Sequence, residues 1–292
     1  MQQLLIIGYV WLEETSAAGS RMLQLISFFK KQGFQITFAT PAQKTINSLK
    51  LSLLDIDEVT IELNNSSFDD FIKELTPDVV LFDRFMMEEQ FGWRVSENCP
   101  NALRILDTED LHFLRKTRHQ QLKKGENFSS EALLTSNDAK REIASILRCD
   151  ISLIISSFEI ELLKNVFKID KALLYHLPFM LDEIDDEIIS NWKPFLERNH
   201  FVFVGNFLHK PNVDAVLQLK FIWKNIKNKL PQAEIHVYGA YANQQIEQLH
   251  NKKEGFLIKG FANDAKETKI QKRIEQAHHA KIAKKCFIRV PD

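Results

Sequence analysis

Two stretches far apart in the chain open in the same way. LLIIGY (4–9) and FVFVGNF (201–207) are each a short apolar run that reaches a glycine and then leads toward a helical pattern. A run this short and this apolar reads as a strand buried on both faces, and a strand, a glycine turn and a helix form the opening of a doubly wound α/β domain. Two such openings require two sheets. Only 92 residues follow residue 200. The second sheet therefore starts late, and the expectation is a second domain that remains incomplete.

Between the two openings, strand-like runs recur as QITFAT (35–40), VTIEL (59–63), VVLFD (79–83), LRILD (103–107), ISLIIS (151–156) and ALLYHL (172–177). Helical patterns separate most of them. The clearest spans 17–31, where Ala18, Met22, Leu25, Ile26 and Phe29 share one face. Ser16 is placed to cap its start and Gly33 to close its end. Alternating β and α with such apolar strands implies a parallel sheet covered on both faces. EIHVYG (234–239) and GFLIKG (255–260) continue the second domain, with helices expected around 211–229 and 242–250. The resulting organisation is a first α/β domain over 1–185, a linker over 186–200, a partial second domain over 201–265, and an atypical tail over 266–292.

Charge and cysteine content remove several function classes. The net charge of −1 and pI of about 6.8 provide no global basic field for nucleic acid. The tail holds eight Lys or Arg against three Asp or Glu. It reads as one basic helix around 265–285, with weak attraction to an anionic membrane surface as its only lipid contact. Cys99, Cys149 and Cys286 lie far apart. That spacing suits neither a disulfide framework nor a zinc site, and fits a reducing cytoplasm. The N-terminus enters its first strand without a basic leader, and no run reaches the length of a membrane span.

Candidate chemistry sits in the loops after the strands. In YVWLEETSAAGSR (9–21), the small residues around Gly19 allow close backbone approach to a ligand. Arg21 reads either as a surface charge or as an anion contact. The loop is not GxGxxG, which disfavours a dinucleotide. Asp83 ends a strand, where doubly wound folds bind ligands. Glu88 and Glu89 read as a helix start, and Phe91 and Trp93 as core. LDTEDLHFLR (106–115) brings Asp107, Glu109, Asp110 and His112 directly after a strand. They read as a binding edge, as a helix start capped by Asp107 or Thr108 with Glu109 and Asp110 in its first turn, or as both. Ser157 reads as the cap of the helix after ISLIIS. In GNFLHKPNVDA (205–215), Gly205 allows a tight turn, His209 and Lys210 supply cations or donors, and Pro211 suits a first helical turn. Gly239 and Gly260 end the next two strands. No group has metal-ligand spacing.

Taken in order, these loops resemble those of glycosyltransferases of the GT-B fold, particularly the retaining family 4 enzymes. The matching pieces are ETSAAGSRMLQLISFFKKQGFQITFAT, DTEDLHFLR, DISLIISSFEIELL, FVFVGNFLHKPNVDA, IHVYGA and IKGFANDA, covering about residues 3–265. The resemblance implies two Rossmann-like parallel-sheet domains facing across a cleft, the second one incomplete here. It implies transfer of a sugar, with retention, from a nucleotide-diphosphate sugar to an acceptor hydroxyl on a glycan, lipid or small molecule. No cofactor or metal is implied. His112 matches the family's cleft histidine, and Gly19 and Arg21 its glycine-rich first loop and following arginine. Asp83 and Asp110 join the acceptor or phosphate side. Gly205, His209, Lys210, Asn212, Gly239 and Gly260 fall on the donor side. Nothing in 266–292 matches the family's further donor segment. The alternative expectation is therefore a truncated, inactive fragment that acts only as a binding module.

Overall fold

The computed structural model describes residues 2–13, 16–46, 48–180, 189–190, 194 and 200–261. The expected basic helix, most of the expected linker and the end of the GFANDA loop lie outside these residues. The chain divides into two compact units, Met1–Leu181 and Asp182–Asp292.

The first unit is a seven-stranded parallel sheet. Its strands are β1 (Gln3–Ile7), β2 (Gln35–Thr40), β3 (Asp57–Thr60), β4 (Val79–Asp83), β5 (Leu103–Asp107), β6 (Ile151–Ile154) and β7 (Leu174–His176). They lie in the order β3-β2-β1-β4-β5-β6-β7. Helices α1 (Ala17–Lys31), α2 (Ser67–Leu75), α3 (Phe85–Asn98), α4 (His112–Lys124), α5 (Ser130–Thr135), α6 (Asn137–Arg148) and α7 (Ser157–Asn165) surround it.

Alternation along the central strands explains the two layers of helices. In β1, Leu4 and Ile6 enter a core with Met22, Leu25 and Ile26 of α1. Leu5 and Ile7 enter a second core with Phe68, Ile72, Phe91 and Val95 of α2 and α3. Successive side chains point to opposite faces, so a strand covered on both faces must be apolar at every position. The edge strands are less buried, β3 carrying only half-buried or exposed residues and β7 two exposed ones. They are also shorter or displaced relative to the VTIEL and ALLYHL runs.

Helix α1 begins as its sequence predicts, with Ser16 accepting the Gly19 N–H at 2.9 Å. Gly33 follows its last turn with φ +84°. At α7 the cap is Ser156, one residue before the expected Ser157, and its side chain makes no cap hydrogen bond. Phe91 is core, but Trp93 is half exposed and stacks against the Arg94 guanidinium at 4.5 Å. The expectation that both were core fails for Trp93.

The second unit shows a three-stranded parallel sheet of β8 (His200–Val204), β9 (Glu234–Tyr238) and β10 (Phe256–Gly260), in the order β10-β9-β8. Helix α8 (Lys210–Lys229) crosses between β8 and β9, and the single turn α9 (Gln244–Glu247) lies between β9 and β10. Trp223 anchors α8. It is almost fully buried, edge-on to Phe201 and Phe256, and its indole N–H donates to the Glu254 carbonyl at 2.7 Å.

Candidate functional site

In the first sheet the strand order reverses between β1 and β4. Crevices in open α/β sheets form at such a switch point, beyond the carboxyl ends of the strands. A pocket of about 300 Å³ lies there, lined by the β1–α1 loop with Gly19, and by Asp83, Arg84 and Glu109. Gly19 is required by packing, since a Cβ there would sit 2.0 Å from the Glu13 carbonyl oxygen.

The charges at this edge are arranged in pairs. Asp83 is buried, and its Oδ2 accepts the Tyr9 N–H at 3.0 Å. Its Oδ1 has no hydrogen-bond partner among the described residues and lies 3.6 Å from Arg84 Nε. It is a buried acceptor at the edge of the pocket, and an unmet acceptor of this kind favours a donor such as a hydroxyl. Arg84 binds Glu109 through Nε and Nη2 at 3.0 and 2.8 Å. Both adopt left-handed backbone, φ 72° and 58°, an uncommon conformation for side chains of this kind and one found at functional loops. Burial pushes the Glu109 carboxyl upward and the neighbouring Asp83 adds to it, while Arg84 opposes.

Arg21 departs from both of its expected readings, a surface charge and an anion contact. It is fully buried, and its Nε meets both oxygens of Asp107 at 2.9 and 3.1 Å, with Nη2 2.8 Å from Oδ1. Its Nη1 donates to the Leu177 carbonyl at 2.9 Å. The guanidinium ties β5 to the segment after β7 and shows no face to solvent. Burial pushes Asp107 up to about 6, against the pull of the Arg21 hydrogen bond.

The start of α4 also differs from expectation. Asp107 and Thr108 do not cap it, and Glu109 and Asp110 precede the helix, whose N-cap is Leu111. Two buried carboxylates from other helices take the free N–H groups instead. Glu142 of α6 accepts from His112 and Phe113 at 3.2 and 2.9 Å, and Glu159 of α7 accepts from Leu111 at 3.1 Å. This helix N-terminus is therefore already occupied by protein acceptors. His112 stands at its first position, nearly buried and edge-on to Phe85 with ring centroids 5.7 Å apart. Its Nδ1 lies 3.6 Å from Asp110 and 3.8 Å from Glu142, and has no hydrogen-bond partner among the described residues. Asp110 is held by Arg115 at 2.6 Å. Neither His112 nor Asp110 lines the switch-point pocket, whereas Gly19 and Asp83 do.

In the second unit the three glycines meet at the carboxyl ends of the strands. The Gly205 N–H donates to Tyr238 O and the Gly239 N–H to Gly260 O, both at 3.0 Å. A Cβ on Gly239 would lie 2.0 Å from the Gly205 oxygen, and one on Gly205 would lie 2.9 Å from Asn212. Asn212 bridges back to the Asn206 carbonyl at 2.8 Å. Helix α8 then starts at Lys210, with His209 as its cap and Pro211 in the first turn. The His209 and Lys210 side chains are exposed and make no hydrogen bond or ion pair among the described residues. A helix N-terminus flanked by an open ammonium and an open imidazole attracts phosphate.

No protein-family model matches the sequence, and no curated protein sequence matches it. Solved structures do. The chain aligns with the lipopolysaccharide outer core galactosyltransferase WaaB at a TM-score of 0.56 and 13% identity, covering 94% of this chain and 72% of that one. With TarM the values are 0.62 and 8%, over 93% and 79%. With a putative UDP-N-acetylglucosamine 2-epimerase from Listeria monocytogenes they are 0.50 and 12%, over 89% and 68%. At these identities the likeness establishes the fold, which is α/β with two parallel sheets, as in the GT-B glycosyltransferases.

Proposed function

We propose that the protein is a glycosyltransferase of the retaining family 4 type, which moves a sugar from a nucleotide-diphosphate donor to an acceptor hydroxyl. The observation that carries the reading is the strand-end cluster of the second unit, where Gly205, Gly239 and Gly260 meet beside the α8 N-terminus with His209 and Lys210 open. In this reading, the positive dipole end of α8, the Lys210 ammonium and the His209 ring stabilise the diphosphate as it leaves, and Asn212 holds the loop that presents them. His112 contacts the transferred sugar. Asp83 accepts from an acceptor hydroxyl at the switch-point pocket, with Gly19 letting the acceptor approach. The nucleotide sugar is a substrate, and no separate cofactor is invoked. The acceptor is a glycan, lipid or small molecule.

Among the described residues no helix is long and apolar enough to cross a membrane. We assign the chain to the cytoplasm, with at most peripheral membrane contact through its basic tail.

A second reading, epimerisation of a nucleotide sugar, is favoured by the likeness to the Listeria protein, since one fold hosts several chemistries. The test separates them. The chain is incubated with uridine, guanosine and adenosine diphosphate sugars, with and without acceptor extracts. Transfer predicts acceptor-dependent release of nucleoside diphosphate, diminished in His112→Ala. Epimerisation predicts an altered sugar still attached to its nucleotide without acceptor. Neither product with any donor overturns both.

A further inference from the structure

The second unit carries a cluster that the transferase reading does not use. The parallel register sets His200 of β8 opposite Glu234 of β9, and Val202 opposite His236. Side chains alternate along a strand, so Glu234 and His236 share one face and His200 joins them from the next strand. That face is turned away from α8, because Phe201, Ile235 and Val237 pack with Val216 and Trp223 on the other side. His236 Nε2 lies 2.8 Å from Glu234 Oε2, and His200 Nδ1 lies 3.8 Å from the same oxygen. The two imidazoles are near-parallel, with centroids 4.9 Å apart and planes at 22°. One ligand atom from each residue falls within 4.8 Å of the other two.

We propose that His200, Glu234 and His236 bind a divalent transition-metal ion of the zinc type. All three are zinc-ligating residue types, and bonds of about 2.0–2.2 Å in a tetrahedral shell put neighbouring ligand atoms about 3.3–3.5 Å apart. The observed 2.8 and 3.8 Å bracket that spacing. Rotation of three partly exposed side chains closes the difference, while strand pairing holds the backbone. Two imidazoles and one carboxylate leave a fourth position for water or another ligand, and imidazole favours zinc, copper or nickel over magnesium or calcium. The Lys259 ammonium also acts on Glu234. An ion must compete with that charge and with the His236–Glu234 hydrogen bond, which favours a dication over a monovalent one.

His200 and Glu234 open β8 and β9 and His236 lies in the middle of β9, while Gly205 and Gly239 follow the strand ends. His200 and Glu234 each precede the glycine of their strand by five residues and His236 by three, a separation of about 10–17 Å. The ion would clamp neighbouring strands, independently of donor chemistry.

The full chain is titrated with Zn(II) against a chromophoric chelator. The expected result is one ion bound per chain, with affinity at least tenfold weaker in His200→Gln, Glu234→Gln and His236→Gln, each with an unchanged circular dichroism spectrum. The thermal midpoint rises with Zn(II) in the wild type and not in the variants. Absence of binding in the wild type overturns the proposal, as does equal binding in all three variants, which would assign the ion to others of the nine histidines. If a variant fails to fold, the Co(II)-loaded wild type decides: a four-coordinate visible spectrum supports the site, and the spectrum of the aquo ion overturns it.

Discussion

The Arg21–Asp107 pair allows a quantitative test of how the first unit is built. Both side chains are fully buried, and three nitrogen–oxygen approaches of 2.8–3.1 Å join them. Removing one partner of such a pair costs about 3–5 kcal/mol, because the other charge is left buried and alone, whereas replacing both with apolar residues is often near neutral. Arg21→Met and Asp107→Leu should therefore each cost about 3–5 kcal/mol near pH 7, and the double variant far less than their sum.

The two single variants should also differ with pH. The Asp107 carboxyl sits at about 6 with Arg21 beside it, above its ordinary 3.8. Without Arg21 it rises further. A folded-state pKa above the unfolded one contributes stability that is present in acid and lost as pH rises through the folded value. Between pH 6.5 and 8.5 the wild-type carboxyl is largely ionised, so the Arg21→Met penalty should grow by up to about 1.4 kcal/mol per pH unit. The Asp107→Leu penalty should stay flat, because that variant removes the carboxyl that titrates. Hydrogen exchange at the β1 and β5 amides reads the first unit alone, which matters in a chain of two units. A cost below about 1 kcal/mol for Arg21→Met, or a penalty that shrinks with rising pH, refutes the reasoning.

Other predictions follow from single contacts. Glu142→Ala leaves the His112 and Phe113 N–H groups unmet; it should cost about 1–3 kcal/mol, speed exchange at those amides and lower turnover by displacing His112. Gly239→Ala puts a methyl 2.0 Å from the Gly205 carbonyl, and should cost about 1–3 kcal/mol in the second unit, read as earlier melting and loss of nucleotide binding. Trp223→Ala should cost about 3–5 kcal/mol by emptying the core under α8, seen as rapid exchange throughout β8–β10 with β1–β5 unchanged.

The central strands were legible in the sequence because both faces of β1 and β4 are covered, leaving uninterrupted apolar runs. The edge strands were read less well, since β3 and β7 bury little and their pattern fades. Position at the strand ends was also legible, so Asp83, Gly205, Gly239 and Gly260 appear where the turn residues placed them. Partnerships between distant residues were not. Arg21 and Asp107 are 86 residues apart in the chain, and nothing near Arg21 announces its burial. The α4 start was misplaced because its capping carboxylates come from Glu142 and Glu159 on other helices, whereas local reading looks for a cap within the turn. His200 and His236 become neighbours only through the β8–β9 register, so no ligand spacing betrays them.

The most direct test of the transferase account is calorimetric titration of the full chain with uridine and guanosine diphosphate. The account predicts saturable one-to-one binding of one of them, weakened about tenfold or more in Lys210→Ala, in keeping with the loss of one charge-assisted hydrogen bond of about 1.5–3 kcal/mol. Absence of binding by either nucleotide up to millimolar concentration, or equal binding in Lys210→Ala and Gly239→Ala, would contradict it.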